Sequence, residues 1–545
     1  MGPHAAPGRL PWWAALPAAA LGGFLLDVAS PALAWWPAAF FGVALVLLAV
    51  WQQRPGIAAG LGAVAGAAFW GPHIFWLTLY LGPVPWLGLC AIMVAWFALF
   101  GLLAGITTRG LARIRGLASR PLALIAAQSL GAAGLWVARE QLQSSWPYGG
   151  FAWGRLAHTQ SGGPLEQAVS WLGFAGLSGA IAFACALPVA TWFVGRGASR
   201  GSSLGSSRGS TRGSSRGSSR ALAGLAGGVA VALLALLAVV PAAPLQQTGT
   251  LRVAAVQGNS KSGIFDDREN GDVIRAHFKA TDALLDELEA RGERVDVIIW
   301  PENSAEFEIR EDTLNDFRLQ DLAERADAPI VVGSVLHNPD GTYTNSSLVW
   351  TAEGEAPLRY DKRYPVPFAE YMPNRDFFHA LAPELVDLVQ LEYEHGSRPP
   401  VFSLETPAGT MQAGLAICFD IIFDQQATAM VGGGAEAIFA QTNNADFGRT
   451  DESAQQLAIA RLRGIETGRA LVNISTVGTS AVVAPDGRTL DALTPFTADA
   501  LVAEIPLVTG ETPALRFGAA IAAAWLLLAA ASAAAAVAAH LFRRR

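Results

Sequence analysis

Three residues of this chain are placed as a covalent catalyst would need them: Glu302, Lys362 and Cys418. Cys418 closes the apolar run Ala413-Gly414-Leu415-Ala416-Ile417 and is followed by Phe419-Asp420. The pattern reads as a buried strand ending in a thiol, a rigid mounting for a nucleophile. Glu302 follows Val297-Ile298-Ile299-Trp300-Pro301, where proline stops a strand and leaves the carboxylate at its carboxyl end. That edge is where layered α/β proteins bind ligands. Beside Trp300 the carboxyl is suited to a raised pKa and to proton transfer. Lys362 lies in Asp361-Lys362-Arg363-Tyr364-Pro365 and is one of three lysines, with Lys261 and Lys279. A chain that otherwise uses arginine and keeps a lysine here points to a compact ammonium. Each position alone also has a plainer reading: a core cysteine, a helix N-terminal acid, a surface lysine. Together they could supply nucleophilic acyl chemistry. Glu302 would take the thiol proton, and Lys362 would hold the thiolate and then the tetrahedral oxyanion, helped by the backbone N–H after Cys418.

These residues must be carried by a folded unit, and residues 250–510 have the pattern of one. Strands are expected at Leu251–Gln257, Val295–Trp300, Ile330–Val335, Ser347–Thr351, Gly409–Cys418, Ala437–Gln441, Leu471–Ser475 and Ser480–Val483. Helices are expected at Asp272–Ala290, Thr313–Ala326, Ala427–Gly434 and Asp451–Arg469. Strands alternating with helices indicate a layered α/β unit. Arg463, Glu466 and Arg469 have the spacing of a structural ion network.

The rest of the 545 residues is different in kind. Met1 to Thr248 holds 14 Arg, no Lys and 3 acids, whereas Thr250 to Gly510 holds 20 basic and 41 acidic residues. Apolar runs at 11–29, 34–52, 57–80, 86–107, 121–139, 167–194, 221–240 and 517–542 match the about 20 residues needed to span a bilayer as helix. Arginines fall after the second, fourth and sixth runs, and the chain ends Arg543-Arg544-Arg545. The positive-inside rule then puts both termini in the cytoplasm and residues 250–510 outside it. The expected organisation is a membrane domain over 1–245, a catalytic domain over 250–510 and a terminal span with its Arg tail over 515–545. Within the first, 195–220 repeats Gly-Ser-Ser-Arg and reads as a flexible cytoplasmic linker. Cys90, Cys185 and Cys418 suggest no disulfide framework, and His73, His158 and His395 lack metal-ligand spacing. The acidic middle argues against nucleic acid.

With the motifs assembled, the chain resembles the nitrilase superfamily, with its Glu-Lys-Cys pattern. Within it, the chain is similar to the apolipoprotein N-acyltransferase family. Trp300-Pro301-Glu302, Lys362 with Val366-Pro367-Phe368-Ala369-Glu370-Tyr371-Met372-Pro373, Ile417-Cys418-Phe419-Asp420, Gln257-Gly258-Asn259 and Thr442-Asn443-Asn444-Ala445-Asp446-Phe447-Gly448 carry the likeness. Relatives often have Glu where this chain has Asp420, and Asp-Ala-Trp where it has Asn444-Ala445-Asp446. The resemblance implies a multi-span α-helical membrane domain plus an α-β-β-α sandwich on the outer face of a bacterial cytoplasmic membrane. It implies Glu302 as base, Lys362 as oxyanion stabiliser and Cys418 as nucleophile, with Glu370, Phe419 and Asp420 supporting them. The implied reaction moves an acyl chain from a membrane phospholipid, through a Cys418 thioester, to the amine of a diacylated apolipoprotein. No cofactor, no metal and no nucleic acid are implied, and a monomer is expected. The alternatives are a membrane-tethered amidase or nitrilase, or a transporter with an acidic sensor domain; the latter predicts ionisable residues inside the spans, which are nearly devoid of them. Phe368, Phe377, Phe378, Leu381 and Leu385 fit either a lipid-facing arm or a core helix.

Overall fold

The computed structural model describes residues 9–204, 212–263, 266–267 and 269–541. The chain divides into two compact units, one of Met1–Thr78, Pro83–Pro241 and Arg516–Arg545, the other of Leu79–Gly82 and Ala242–Leu515.

The first unit is helical. Among the described residues, six of its helices are long and apolar enough to cross a membrane, and a seventh span arises if Pro55–His73 and Phe75–Leu81, bent by 59°, count as one. The apolar run at 34–52 yields only the helix Pro37–Val50, of 14 residues. At ~1.5 Å per residue it falls short of a ~30 Å hydrocarbon core. All eight apolar runs are helical, and this one is shorter than the rest because the polar Gln52-Gln53 closes it. The helices meet through small residues. A Cβ on Gly23 would lie 2.1 Å from the carbonyl oxygen of Ala65, and one on Gly62 would lie 2.2 Å from that of Phe97. The C-terminal helix Pro513–Leu541 packs likewise, Gly110 lying where a Cβ would come 2.4 Å from that of Ala536. Close backbone approach of this kind substitutes for a hydrophobic drive between helices in lipid.

Two expectations are revised in this unit. The Gly-Ser-Arg segment is helical where described, within Val169–Leu204 and Arg212–Val239, while 205–211 and Arg543-Arg544-Arg545 lie outside the described residues. Second, ionisable side chains do lie inside the helical unit. Arg139 and Glu140 are buried as a 3.1 Å ion pair, and His73 stands 3.2 Å from Asp27. Glu140, placed by sequence at the start of a loop, also accepts from the Trp136 indole at 2.8 Å and the Leu156 amide at 2.9 Å. These donors replace the water that the carboxylate gives up.

The second unit contains two six-stranded sheets. The first is built from β1 (Gln246–Gln257), β2 (Val297–Ile299), β3 (Ile330–His337), β4 (Tyr343–Thr351) and β5 (Gly354–Asp361). The second has β6 (Val401–Thr406), β7 (Gly409–Ile417), β8 (Ala437–Thr442), β9 (Ala470–Ser475), β10 (Ala481–Val483) and β11 (Thr489–Ala492), and β12 (Asp499–Thr509) returns to the first. The orders are β12-β1-β2-β3-β4-β5 and β11-β10-β9-β8-β7-β6. Each sheet has a parallel centre, β1-β2-β3 and β7-β8-β9. Val253, Ile299, Val331 and Ile505 of one sheet share a core with Leu415, Phe439, Val472 and Val482 of the other. Buried on both faces, these strands read as unbroken apolar runs. The outer face of the first sheet buries Ile298, Trp300 and Ile330 against Phe278, Leu285, Leu319 and Leu322 of helices Asp272–Arg291 and Thr313–Ala326. Helices Asp424–Gly432 and Glu452–Thr467 belong to the second sheet's side, completing four layers, α-β-β-α.

The helix expected to reach Arg469 stops at Thr467, capped by Gly468 in the left-handed region at φ 65°. Arg463 pairs with Glu466 and, at 2.6 Å, with Asp424. Arg469 instead donates to the carbonyls of Ala435, Thr467 and Gly510, so the predicted network keeps two of its three members.

Candidate active site

The three residues singled out at the start stand just past three strand ends, β2, β5 and β7, drawn from both sheets. β2 passes into Trp300-Pro301-Glu302. The Trp300 carbonyl accepts from the Gln441 side chain at 2.6 Å and the Glu302 carbonyl from Thr476 at 3.4 Å, which ties this end to the opposite sheet. Gly333 on β3 leaves room for the turn: a Cβ there would meet the Pro301 carbonyl oxygen at 2.4 Å. β5, absent from the sequence reading, delivers Lys362, whose amide donates to the Asn345 carbonyl on β4 at 2.8 Å. Cys418 opens a short 3₁₀ turn after β7 and has φ 49°, the left-handed region that a non-glycine residue occupies at a cost.

Lys362 and Glu302 are both buried, at 2% and 4% exposure. The ammonium donates to Glu302 Oε1 and to Glu370 Oε1, each at 2.9 Å. Asn345 Nδ2 donates to the same two carboxylates, at 2.7 and 3.2 Å. Glu370 is held in turn by the Val366 amide at 2.7 Å. Cys418 is half-buried, and the charges of Glu302 and Lys362 both act on its thiol. Burial pushes the Glu302 carboxyl above the usual carboxylate range, with the Lys362 charge opposing and Glu370 adding to the rise. Burial works against the Lys362 ammonium, but Glu302 and Glu370 outweigh it and hold the amine protonated well above the ordinary lysine range. Burial and Glu302 push the Cys418 thiol up, against Lys362. The resting site therefore holds a thiol beside a buried carboxylate and a permanent cation. A nucleophile would be made here at the moment of attack, by proton transfer, and not stored as a thiolate.

Asp420 shapes the turn that carries the sulfur. It is fully buried and accepts from the Tyr360 hydroxyl at 2.7 Å, the Tyr364 amide at 2.9 Å and the Ile417 amide at 3.1 Å. Burial raises its pKa, against those hydrogen bonds and the Lys362 charge. Phe419 is a packing residue, edge-on to Phe423 with ring centroids 5.2 Å apart. Exchanging the carboxylate for a carboxamide, Asp420→Asn, turns one acceptor oxygen into a donor facing a donor. The expected outcome is a loss of about 1–3 kcal/mol of stability and a slower reaction at Cys418, read by thermal unfolding and by the rate of Cys418 modification.

Three contributors were not identified from sequence. Asn345 sits in the buried polar run Thr344-Asn345-Ser346-Ser347, and that run inside an apolar strand was the available signal. Glu452 and Gln456 lie on the helix Glu452–Thr467, where nothing local distinguishes them from a solvated face. Of the aromatic set after Glu370, Phe368 and Phe378 pack with Met372, Val386 and Val389, whereas Phe377 and Leu381 are exposed. Among the described residues, no three His, Cys, Asp or Glu side chains cluster as metal ligands would.

A double-sheet sandwich with Glu, Lys and Cys at its strand ends defines a protein of the carbon-nitrogen hydrolase class, and that family's model matches residues 252–513. A solved amidase from Nesterenkonia sp. aligns with 48% of this chain and 92% of its own, at 19% identity and TM-score 0.34. The model of the apolipoprotein N-acyltransferase N-terminal domain matches residues 22–187. An apolipoprotein N-acyltransferase of Mycolicibacterium smegmatis is 32% identical over 94% of this chain and 83% of its own length. One of Geobacter metallireducens is 28% identical over 98% of both. The chain belongs to the apolipoprotein N-acyltransferase family; it is an N-acyltransferase enzyme and a bacterial membrane protein.

Proposed function

We propose that this enzyme moves a fatty acyl chain from a membrane phospholipid to the α-amine of a diacylglyceryl-cysteine lipoprotein, in two half-reactions through Cys418. In the first, Glu302 takes the thiol proton and Sγ attacks the ester carbonyl. The tetrahedral oxyanion is stabilised by the Lys362 ammonium and the backbone N–H after Cys418. The ester C–O bond breaks, Glu302 returns the proton to the leaving oxygen, and a lysophospholipid departs from a Cys418 thioester. In the second, the amine attacks the thioester carbonyl and loses its proton to Glu302. The C–S bond breaks, giving an amide and regenerating the thiol. Glu370 orients Lys362, while Phe419 and Asp420 support the turn at Cys418.

The observation carrying this reading is the buried Lys362 ammonium shared between Glu302 and Glu370 at 2.9 Å, acting on the Cys418 thiol. A thioester preserves acyl-transfer potential until the amine arrives, which suits two lipid substrates met at a membrane. In the same proposal residues 1–245 and 515–545 embed the chain in the membrane as a monomer, both termini are cytoplasmic, and 250–510 faces outward. The arginine distribution supports that orientation. The test is intact and peptide mass spectrometry of the purified protein after incubation with phospholipid vesicles. An acyl mass on Cys418, absent in Cys418→Ser and discharged by a diacylated lipopeptide as an amide, is expected. No adduct with any phospholipid, or discharge only to water, would favour a tethered hydrolase.

A further inference from the structure

Glu452, Asn444 and Gln456 form a buried polar chain that ends on the nucleophile and has no part in the reaction just described. Gln456 is 2% exposed, and its Nε2 lies 3.4 Å from Cys418 Sγ. Which end of the carboxamide faces the sulfur is decided by a series of directional bonds. The Gly478 backbone N–H donates to Ser475 Oγ at 3.0 Å, and an amide cannot reverse that role. Ser475 is left to give its own proton to Asn444 Oδ1, at 2.7 Å. Asn444 Nδ2 then points the other way and donates to Glu452 Oε2 and to Gln456 Oε1, both at 2.8 Å. With its oxygen so engaged, Gln456 presents N–H to the sulfur. Gly478 is needed for the fit, since a Cβ there would meet Asn444 Oδ1 at 2.4 Å.

We infer that Gln456 is a further catalytic residue. It donates a hydrogen bond to Cys418 Sγ that strengthens as the sulfur gains negative charge, and Asn444, braced by Ser475 and Glu452, is the positioning residue that keeps it a donor. The inference rests on Cys418 being the nucleophile. The benefit is differential: a thiol is a weak acceptor and a thiolate a strong one, so the bond favours attack and departure of sulfur over the resting state. It also opposes the local anions. Glu302 and Glu452 both disfavour a thiolate, and Lys362 opposes them. Glu452 is itself pushed up to about 8 by burial, with Asn444 opposing and Glu302 and Asp446 adding to the rise. Near neutral pH it is largely protonated and adds little repulsion while still accepting from Asn444.

The experiment follows alkylation of Cys418 by iodoacetamide in the full-length protein in detergent, peptide-resolved by mass spectrometry, as a function of pH and without lipid. Gln456→Met keeps the volume and removes the donor. Alkylation at pH 8 is expected to slow roughly tenfold and the profile to move to higher pH, the effect of losing one hydrogen bond to an anion. Gln456→Glu is nearly isosteric and retains the bond from Asn444; once its buried carboxyl ionises it exchanges donor for acceptor, so alkylation should slow further at alkaline pH. Profiles superimposable on wild type for either folded variant would overturn the inference. Because no acyl donor is present, this result is independent of whether phospholipid is the substrate.

Discussion

Lys362→Met is expected to abolish acyl transfer and to destabilise the catalytic unit by about 3–5 kcal/mol, the range for leaving a buried charge without its partner. The size follows from what the ammonium holds apart. Glu302 and Glu370 converge on one nitrogen at 2.9 Å each and share a single further donor, Asn345. Without the cation, two carboxyls face each other in a site from which water is nearly excluded. One must then bind a proton at neutral pH, and the base that the proposed reaction assigns to the thiol would be lost with it. Lys362→Arg restores charge but not shape, since a planar fork cannot occupy the point where three side chains meet. It should recover part of the stability and little of the turnover. Chemical denaturation and single-turnover acylation separate the two effects. Unchanged stability in Lys362→Met would mean that the buried ion triad does not exist as described.

The second large effect is expected at Glu302. Glu302→Gln keeps the volume and an acceptor for Lys362 but cannot take a proton, so thioester formation should fall by roughly 10²–10⁴-fold, the usual span for a general base. Wild type carries a matching pH signature. Burial raises the Glu302 pKa, so the carboxylate form that in the proposed reaction would accept the thiol proton is populated only above a higher pH than for an ordinary glutamate. Acylation should therefore decline as pH falls through that raised value and level off above it. In Glu302→Gln the acid limb should disappear along with most of the rate. A variant that kept the limb would assign proton removal to another group.

Both expectations depend on residues whose importance was unevenly visible beforehand. Trp300-Pro301-Glu302 and Ile417-Cys418 stood out because a strand that stops abruptly at a reactive side chain is a local pattern. Lys362 stood out by rarity. Its carrier strand β5 did not, because Gly-Glu-Ala-Pro-Leu-Arg-Tyr-Asp is an edge strand with polar residues and a proline, and only its last two residues are buried. Asn345, Glu452 and Gln456 are ordinary polar residues in sequence. They matter only because the fold buries them to 2%, 3% and 2% exposure and sets Asn345 against Glu302 and Glu370, and Glu452 and Gln456 against Asn444. The buried Arg139–Glu140 pair was overlooked for the opposite reason. Charges at the end of an apolar run read as a solvated boundary, and only packing against Trp136 and Leu156 reveals otherwise.

Read by itself, the chain determined the separation of an apolar helical unit from an α/β unit, most element positions and the three chemical groups, because periodicity, charge and strand ends are local properties. Tertiary structure alone decided that Glu302 and Glu370 share one ammonium and the Asn345 carboxamide, and that a second carboxamide faces the sulfur. Those are contacts between residues up to 60 positions apart, and their energies come from the dehydration that closure of the two sheets imposes.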